Sequence, residues 1–422
     1  MRIIGSVDEN RLYCAGSFTK LLTTYVCLSL LAEQHDLTRI LDDENFLDAL
    51  CLNPQAKNFL GLFQTIIGNK FTLRDICTYY AGLPYTFDLA PDELSSVEHG
   101  DPFKHHSILD EETFLYRCHN KIIPVYKNRC KFHYSEVSII FLGYLFEKIF
   151  NIQIEDLFQR YVINQFKLTQ SQFARKRPKN VYTQDLSDKY DYPSIAILDH
   201  GYFCYSNGYY TTLHDMKILI GQLVHQPIFQ HMVDIKHARA VSNRILNGLT
   251  IEIRIVGDDI IYGYEGLSFS GCNIWAYSTK QQEGYVTFTD SEEEAYDIYH
   301  AFGYTDFDIV PEYTQDIYKT FLKTYDNDTQ AKDIPMEYQG NYHRVRINEK
   351  ELDITFRVGN NFIVIRNPDE VKYDIVYANN AYRVKSKDQT ASTSVGFSQG
   401  NGEDRYMIFD GTLYKKICNA HK

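Results

Sequence analysis

The chain has 422 residues, of which 44% are hydrophobic, and a formal net charge of −12. This length predicts two or three domains, and the acidic balance argues against a nucleic-acid partner, which needs a concentrated basic surface. No apolar run is long enough to span a membrane, and the first 13 residues contain no signal-peptide core. As written, the chain is expected to be cytoplasmic; it would be periplasmic or secreted if an N-terminal stretch were missing.

Helical periodicity dominates the first half of the chain. After a short strand at Arg2–Ile4, a helix is predicted to begin at Ser17, because apolar residues recur at helical spacing as far as Ala32. Further helices are predicted at 72–81, where Gly82 and Pro84 are stop signals, in the apolar segment that follows Tyr134, and at 213–225. These elements predict a helical region of considerable size.

Alternating polar and apolar residues replace this periodicity at about 249–289 and predict four strands, at 250–256, 260–264, 272–277 and 284–289. An acidic helix at 291–302 is expected to pack back on that sheet. After a linker at 310–334, short alternating segments separated by turn residues predict a small all-β domain, a barrel or a curled sheet. Its strands are predicted at 352–358, 362–366, 373–377, 382–385, 405–409 and 412–417.

The nine cysteines form no C-x-x-C pair and their number is odd. Free thiols, buried in a reducing compartment, are therefore predicted. The histidines lack metal-ligand spacing, and no glycine run has a phosphate-binding pattern. The sequence predicts neither a metal site nor a cofactor.

The only Ser-x-x-Lys sequence of the chain runs from Ser17 to Lys20. At this spacing Lys20 lies one helical turn above Ser17 on the same face, where a desolvated lysine with a lowered pKa can activate a serine nucleophile. The start of a helix also favours the oxyanion of an acyl-transfer reaction. On this motif alone, an N-capping serine and an exposed lysine are the favoured interpretation.

Four segments in a fixed order decide between these interpretations. Residues 12–23 resemble the nucleophile segment of the serine β-lactamase and penicillin-binding-protein superfamily, in particular the class C β-lactamase and esterase-like branch. Residues 71–84, ending Ala81-Gly82-Leu83-Pro84, resemble the second helix of that branch. Tyr134-Ser135-Glu136 resembles its Tyr-Ser-Asn element, and residues 206–215 resemble its Gly-Gly-Leu-x-Ser-Thr-x-x-Asp segment.

The resemblance implies an α+β fold, with an antiparallel sheet flanked by helices and an all-helical region. It also implies that Ser17 attacks an ester or amide carbonyl while Lys20 and Tyr134 move the proton. The backbone N–H groups of Ser17 and Leu267, which follows Gly266, are the implied oxyanion donors. No metal is implied.

Two residues of the implied substrate site depart from the family pattern. Tyr264, in Gly263-Tyr264-Glu265-Gly266, stands where Lys or His is usual, and Glu136 replaces an Asn. Tyr264 brings no cation for a substrate carboxylate, which weakens the case for penicillin-like or D-Ala-D-Ala substrates. The family also places two strands before the nucleophile helix, whereas 16 residues precede Ser17 here; a missing N-terminal stretch would explain the difference.

The sequence therefore predicts a β-lactamase-like serine hydrolase domain at 1–309, a linker at 310–334 and a barrel-like domain at 335–422. The predicted activity is that of an esterase or peptidase, with a small-molecule or peptide substrate. A catalytically inactive binding or scaffold protein on the same fold is the alternative, and Tyr264 and Glu136 favour it. The barrel-like domain could itself carry the function by binding a ligand or partner, or could merely shield the active-site cleft.

Overall fold

The structure is a computed structural model, and it describes the following residues: 2–3, 8–84, 110–120, 122, 132–182, 201–240, 245–256, 259–268, 270–289, 329–330, 333–344, 355–360, 362–367, 369–378, 381–385, 391–399, 405–409 and 412–416.

The described helices lie before residue 233, apart from one turn of 3-10 helix at Met336–Tyr338. They are α1 Phe18–Ala32, α2 Leu37–Ile40, α3 Phe46–Leu50, α4 Pro54–Ile67, α5 Leu73–Cys77, α6 Glu111–Asn120, α7 Glu136–Phe150, α8 Ile154–Phe158, which continues as a π-helix at Gln159–Asn164, α9 Cys204–Asn207, which a 3-10 turn at Gly201–Phe203 precedes, α10 Leu213–Leu223 and α11 Pro227–Met232.

The described strands are β1 Arg2–Ile3, β2 Tyr13–Cys14, β3 Gln172–Phe173, β4 Tyr209–Thr211, β5 Arg239–Ala240, β6 Ile245–Asn247, β7 Glu252–Val256, β8 Asp259–Ser268, β9 Gly271–Ser278, β10 Glu283–Thr289, β11 Thr329–Gln330, β12 Gly340–Arg344, β13 Thr355–Val358, β14 Phe362–Asn367, β15 Asp369–Ala378, β16 Ala381–Lys385, β17 Ala391–Gln399, β18 Arg405–Phe409 and β19 Thr412–Lys416.

The main sheet has the order β1-β10-β9-β8-β7-β6-β5. Its neighbours are antiparallel except β1, which runs parallel to β10. A small separate sheet joins β2, β4 and β3, and so links the segment before α1 to the segment before α10. Together with the helices, these sheets confirm the α+β fold. Strand β1 lies at the edge of the main sheet, beside β10.

Helix α1 is the centre of the helical region. Every residue from Phe18 to Leu31 is buried, because α7, α8, α9 and α11 surround the helix. An element that is apolar all round needs such an environment. Lys20 is the one charged side chain in this buried segment.

Strands β12 to β19 form a third sheet, to which β11 is added by pairing with β15. Each strand pairs with the next, and β19 pairs back with β12, so the eight strands close into a ring. Closure removes the free strand edges that an open sheet would present. The predicted barrel-like domain thus has the expected topology, while its predicted limits and the linker at 310–334 stay predictions.

Several elements differ in extent from the sequence prediction. The helix predicted at 72–81 ends at Cys77, and the one predicted at 213–225 ends at Leu223. The strand predicted at 260–264 continues to Ser268, because β9 pairs with it along its whole length. Strand β17, rich in Ser and Thr, was not predicted. The predicted helix at 291–302 lies outside the described residues.

Two other predictions concern the described part of the chain. The six cysteines that the structure describes as free thiols are all buried: Cys14, Cys27, Cys51, Cys77, Cys118 and Cys204. No single described helix has the length and apolar character to cross a membrane. The bent pair α7 and Ile154–Asn164 satisfies that test by length and composition only.

Candidate active site

The serine of the Ser-x-x-Lys motif lies at the N-cap position of α1. The preceding Gly16 has a φ of +51°, a left-handed conformation that glycine adopts without strain, and the N–H of Ala15 donates to the carbonyl of Tyr209 at 2.9 Å. The Ser17 side chain makes no capping hydrogen bond. Its half-buried hydroxyl oxygen instead accepts a hydrogen bond from Lys20 Nζ at 2.7 Å.

Lys20 is fully buried, so it is not the exposed lysine of the simpler interpretation. Burial lowers its pKa, because the ammonium has lost its hydration, and the nearby carboxylate of Glu136 opposes that shift. The Nζ atom lies 2.7 Å from Glu136 Oε1. Lys20 is therefore held between the serine hydroxyl and a carboxylate.

Glu136, which pairs with the lysine, is the first residue of α7. The helix is fixed there by Ser135, whose hydroxyl caps the N–H of Ser138 at 3.0 Å and donates to the carbonyl of Pro84 at 2.6 Å. The second carboxylate oxygen of Glu136 accepts a hydrogen bond from Asn207 Nδ2 at 3.2 Å. Glu136 is buried, with one carboxylate oxygen on Lys20 and the other on Asn207.

The aromatic ring of Tyr134 also contacts the lysine. Its ring centroid is 5.0 Å from Lys20 Nζ, a cation–π distance, and 5.1 Å from the ring centroid of Tyr79. The side chain is half-buried and also hydrogen-bonds Tyr264. Tyr134 thus contacts both Lys20 and Tyr264, which stands where the family resemblance implies Lys or His.

Tyr264 and Tyr79 form a buried pair whose hydroxyl oxygens are 3.2 Å apart. Burial raises the pKa of both phenols. Tyr79 has a φ of +60°, uncommon for a bulky residue, and its carbonyl accepts the N–H of His133 at 2.8 Å. Sequence analysis missed Tyr79: the left-handed conformation that points it at Tyr264 has no signal in a Thr-Tyr-Tyr-Ala sequence.

The end of β8 lies beside the nucleophile segment. Strand β7 pairs with β8 only as far as Gly263, whereas the pairing of β8 with β9 continues to Ser268. The last part of β8 therefore has one edge free of β7, and this part lies beside Ala15. A Cβ atom added to Gly266 would be 2.2 Å from the carbonyl oxygen of Ala15. Asn273 Nδ2 joins the two segments, donating to Ala15 O at 2.9 Å and to Gly266 O at 3.0 Å.

The sequence-predicted residues thus meet around one point. Ser17, Lys20, Glu136, Tyr134 and Tyr264 form a continuous chain of contacts. Gly266 lies against the residue two before the serine, and the backbone of Leu267 follows it in β8. Asn207 and Asn273, like Tyr79, were not predicted, because only the folded chain brings these distant residues to the site.

This geometry and the antiparallel sheet place the protein in the superfamily of serine hydrolases that includes the penicillin-binding proteins. The model of the Beta-lactamase family matches residues 2–280, and the chain belongs to that family. No curated protein matches the chain.

Solved structures show the same fold at low sequence identity. The octameric penicillin-binding protein homologue from Pyrococcus abyssi is 14% identical, with a TM-score of 0.51 over 97% of this chain and 89% of that one. A penicillin-binding protein from Bacillus halodurans is 17% identical, with a TM-score of 0.51 over 71% of this chain and 88% of that one. A D-stereospecific amidohydrolase from Streptomyces sp. is 15% identical, with a TM-score of 0.51 over 72% and 90%.

Proposed function

We propose that this protein is a serine hydrolase that cleaves an ester or amide bond through an acyl-enzyme on Ser17. The observation that carries the proposal is the 2.7 Å hydrogen bond between Ser17 Oγ and the fully buried Nζ of Lys20. A desolvated amine at this distance is suited to remove the serine proton. Neither group would need this arrangement if the serine only capped the helix.

In the proposed reaction, Ser17 Oγ bonds to the substrate carbonyl carbon while its proton passes to Lys20. The carbonyl π electrons move to oxygen, which the backbone N–H groups of Ser17 and Leu267 stabilise. As the intermediate collapses, the bond to the leaving group breaks and that group takes a proton from Tyr134 or Lys20. Water then releases the acid by the same steps.

Tyr264 bears on the class of substrate. At the place where its relatives carry a cation, this chain has a buried phenol whose neighbours Glu136 and Glu252 disfavour its anion. A substrate carboxylate there would meet no positive charge from the side chain of Tyr264. We therefore propose a small-molecule or peptide ester or amide that lacks a carboxylate at this position, and no nucleic-acid partner.

A second candidate is a catalytically inactive protein that uses the fold for binding. The buried ion pair of Lys20 and Glu136 favours it, because a carboxylate at 2.7 Å stabilises the charged lysine, which cannot accept the serine proton. Tyr264 favours the inactive protein as well, since the family resemblance implies a Lys or His at this position of β8.

Intact-mass labelling with a fluorophosphonate and with a fluorescent penicillin, in wild type and Ser17→Ala, separates the two. The hydrolase proposal expects one fluorophosphonate adduct on wild type, none on Ser17→Ala, and little or no penicillin adduct. Thermal unfolding of both proteins is the control for folding. A folded wild type that neither probe labels would overturn the hydrolase proposal in favour of the binding protein.

A further inference from the structure

The carboxylate of Glu136 is bound by other side chains of the protein. Its two oxygens are engaged by Lys20 at 2.7 Å and by Asn207 Nδ2 at 3.2 Å. Asn207 is itself buried, and its amide also donates to Ser206 Oγ at 2.9 Å. Ser206 in turn donates to the carbonyl of Phe203 at 3.0 Å. Residues of two helices, α1 and α9, therefore hold this carboxylate in one position.

Four side-chain groups contact one another in sequence: the Ser17 hydroxyl, the Lys20 amine, the Glu136 carboxylate and the Asn207 amide. Ser17 Oγ and Glu136 Oε1 each lie 2.7 Å from the same Nζ atom. The arrangement matches the general requirement for an activated nucleophile: a base within hydrogen-bond reach, itself oriented by a third group. The third group also contributes charge, because an unpaired ammonium buried at this depth would be strongly destabilised.

We propose that Glu136 is the positioning residue of a proton relay that runs from Ser17 through Lys20, with Asn207 fixing the carboxylate. The inference rests on the proposed hydrolase function. It gives Glu136 a different role from the substrate contact that its sequence position implied, since the carboxylate reaches Ser17 only through the lysine.

The relay balances without any added reactant. The proposed relay starts with Lys20 as an ammonium and Glu136 as a carboxylate. The proton on Nζ moves to Oε1, leaving an amine and a carboxylic acid; the amine then accepts the Ser17 proton as Oγ bonds to the substrate carbon. When the leaving group departs with a proton from Lys20, the carboxylic acid returns its proton to the amine and the ion pair is restored.

Three described groups face the lysine from the surrounding elements. Glu136 of α7 is the dominant charge, Cys14 of β2 acts more weakly, and the ring centroid of Tyr134 lies 5.0 Å from Nζ. The Cys14 thiol donates to the carbonyl of Asn207 at 3.5 Å. Removing the carboxylate of Glu136 therefore removes the main group that opposes the effect of burial on Lys20.

The test is the pH dependence of Ser17 labelling by a fluorophosphonate, from about pH 4 to about pH 10, in wild type and Glu136→Gln. Without its carboxylate, Lys20 should lose its proton at lower pH and become a weaker base. We expect the acid limb of the rate profile to move down by at least about one pH unit. The plateau rate should fall about ten- to a hundred-fold.

Glu147→Gln is the matched control. Glu147 lies on the same helix, is also buried and is also paired, with Arg175, but it contacts none of the site residues named above. It should leave the limb and plateau in place. Glu136→Asp keeps the charge but moves it away from Lys20 by one methylene. Its acid limb should lie between those of wild type and Glu136→Gln, and this variant replaces Glu136→Gln if the latter does not fold.

If Glu136→Gln lowered the plateau rate without moving the acid limb, Glu136 would be only a structural residue. If the variant raised the plateau rate, Glu136 would inhibit Lys20 in wild type. Either result overturns the relay. Failure of the proposed function is a separate outcome, namely no labelling of wild type at any pH. Lysine-selective NMR then still decides the role of Glu136: Lys20 should lose its proton at lower pH in Glu136→Gln than in wild type. A Lys20 that titrates at the same pH in both proteins contradicts the inference.

Discussion

The hydroxyl oxygens of Tyr79 and Tyr264 lie 3.2 Å apart, and Tyr264 stands where the family resemblance implies a lysine or histidine. The pair joins the turn after α5 to the centre of β8. It is buried on both sides. Because the two phenols satisfy one another, the chain retains a polar strand site without a positive charge.

Restoring a cation at this position should change the choice of acylating agent. We expect Tyr264→Lys to raise labelling by fluorescent penicillin about ten-fold or more, because a charge-assisted hydrogen bond to its carboxylate contributes about 1.5–3 kcal/mol. The nearby Glu136 and Glu252, which disfavour ionisation of Tyr264, would stabilise the introduced ammonium. Labelling rates measured with both probes, beside Tyr264→Phe, provide the comparison; equal penicillin rates in the two variants would contradict the expectation.

The ion pair of Lys20 and Glu136 should reveal itself in stability as well as reactivity. Lys20→Met should abolish Ser17 labelling and lower the free energy of unfolding by about 3–5 kcal/mol, because it leaves a buried carboxylate without its partner. The double variant Lys20→Met with Glu136→Gln should recover much of that stability and none of the labelling. Urea unfolding measures the first quantity, and a double variant as unstable as Lys20→Met would argue against the pairing.

The close approach of β8 to the nucleophile segment makes a glycine necessary. Gly266→Ala would place a methyl group 2.2 Å from Ala15 O and 2.6 Å from Asn273 Nδ2, and separating the two segments would stretch the hydrogen bonds that Asn273 makes to both. We expect a loss of about 1–3 kcal/mol together with slower Ser17 labelling.

Gly61→Ala is the control for that substitution. Gly61 lies inside α4 with open space around the added methyl group, so alanine there should stabilise the protein by about 0.5–1 kcal/mol. Thermal unfolding of the two variants should therefore shift in opposite directions. Shifts of the same sign and size would mean that the approach at Gly266 is not tight.

His133, next to Tyr134, should make the protein sensitive to acid. Burial lowers its pKa from 6.5 to about 3. Below its ordinary pKa the unfolded chain binds a proton that the folded protein does not. Its contribution to stability is therefore complete above about pH 6.5 and decreases as the pH falls toward about 3, by at most about 1.4 kcal/mol per pH unit.

The substitution His133→Gln removes that titration. Denaturant unfolding across this pH range should show a shallower loss of stability in the variant than in wild type. Parallel curves for the two proteins would show that His133 does not remain neutral in the fold.

The central contact of the site follows from the sequence for a simple reason. A spacing of three along a helix places two side chains on one face, so Ser17 and Lys20 had to be neighbours once α1 formed. The strands of the main sheet were predictable likewise, because alternation of buried and exposed side chains has a period of two. Tyr134 was predictable only through the order of four segments, since a tyrosine before a helix is common in a chain with 34 of them.

The remaining parts of the site depend on tertiary contacts that no local pattern encodes. Glu136 was placed with the substrate, yet Asn207, 71 residues away in the chain, draws its carboxylate beneath the lysine. Tyr79 reaches Tyr264 from a left-handed backbone conformation that its sequence does not favour. The continuation of β8 beyond Tyr264 comes from pairing with β9 rather than from its own composition.

The bond from Asn273 Nδ2 to Ala15 O joins residues 258 positions apart, and this separation has a consequence for biosynthesis. At about 5–20 residues per second, the ribosome needs roughly 10–50 s to add that stretch, and only then can the wall of the nucleophile pocket form. For most of that interval α1, which ends buried from Phe18 to Leu31, lacks at least one of the helices that enclose it, because the last of them, α11, ends at Met232. The Ser17 site therefore stays unassembled until most of the domain has been made.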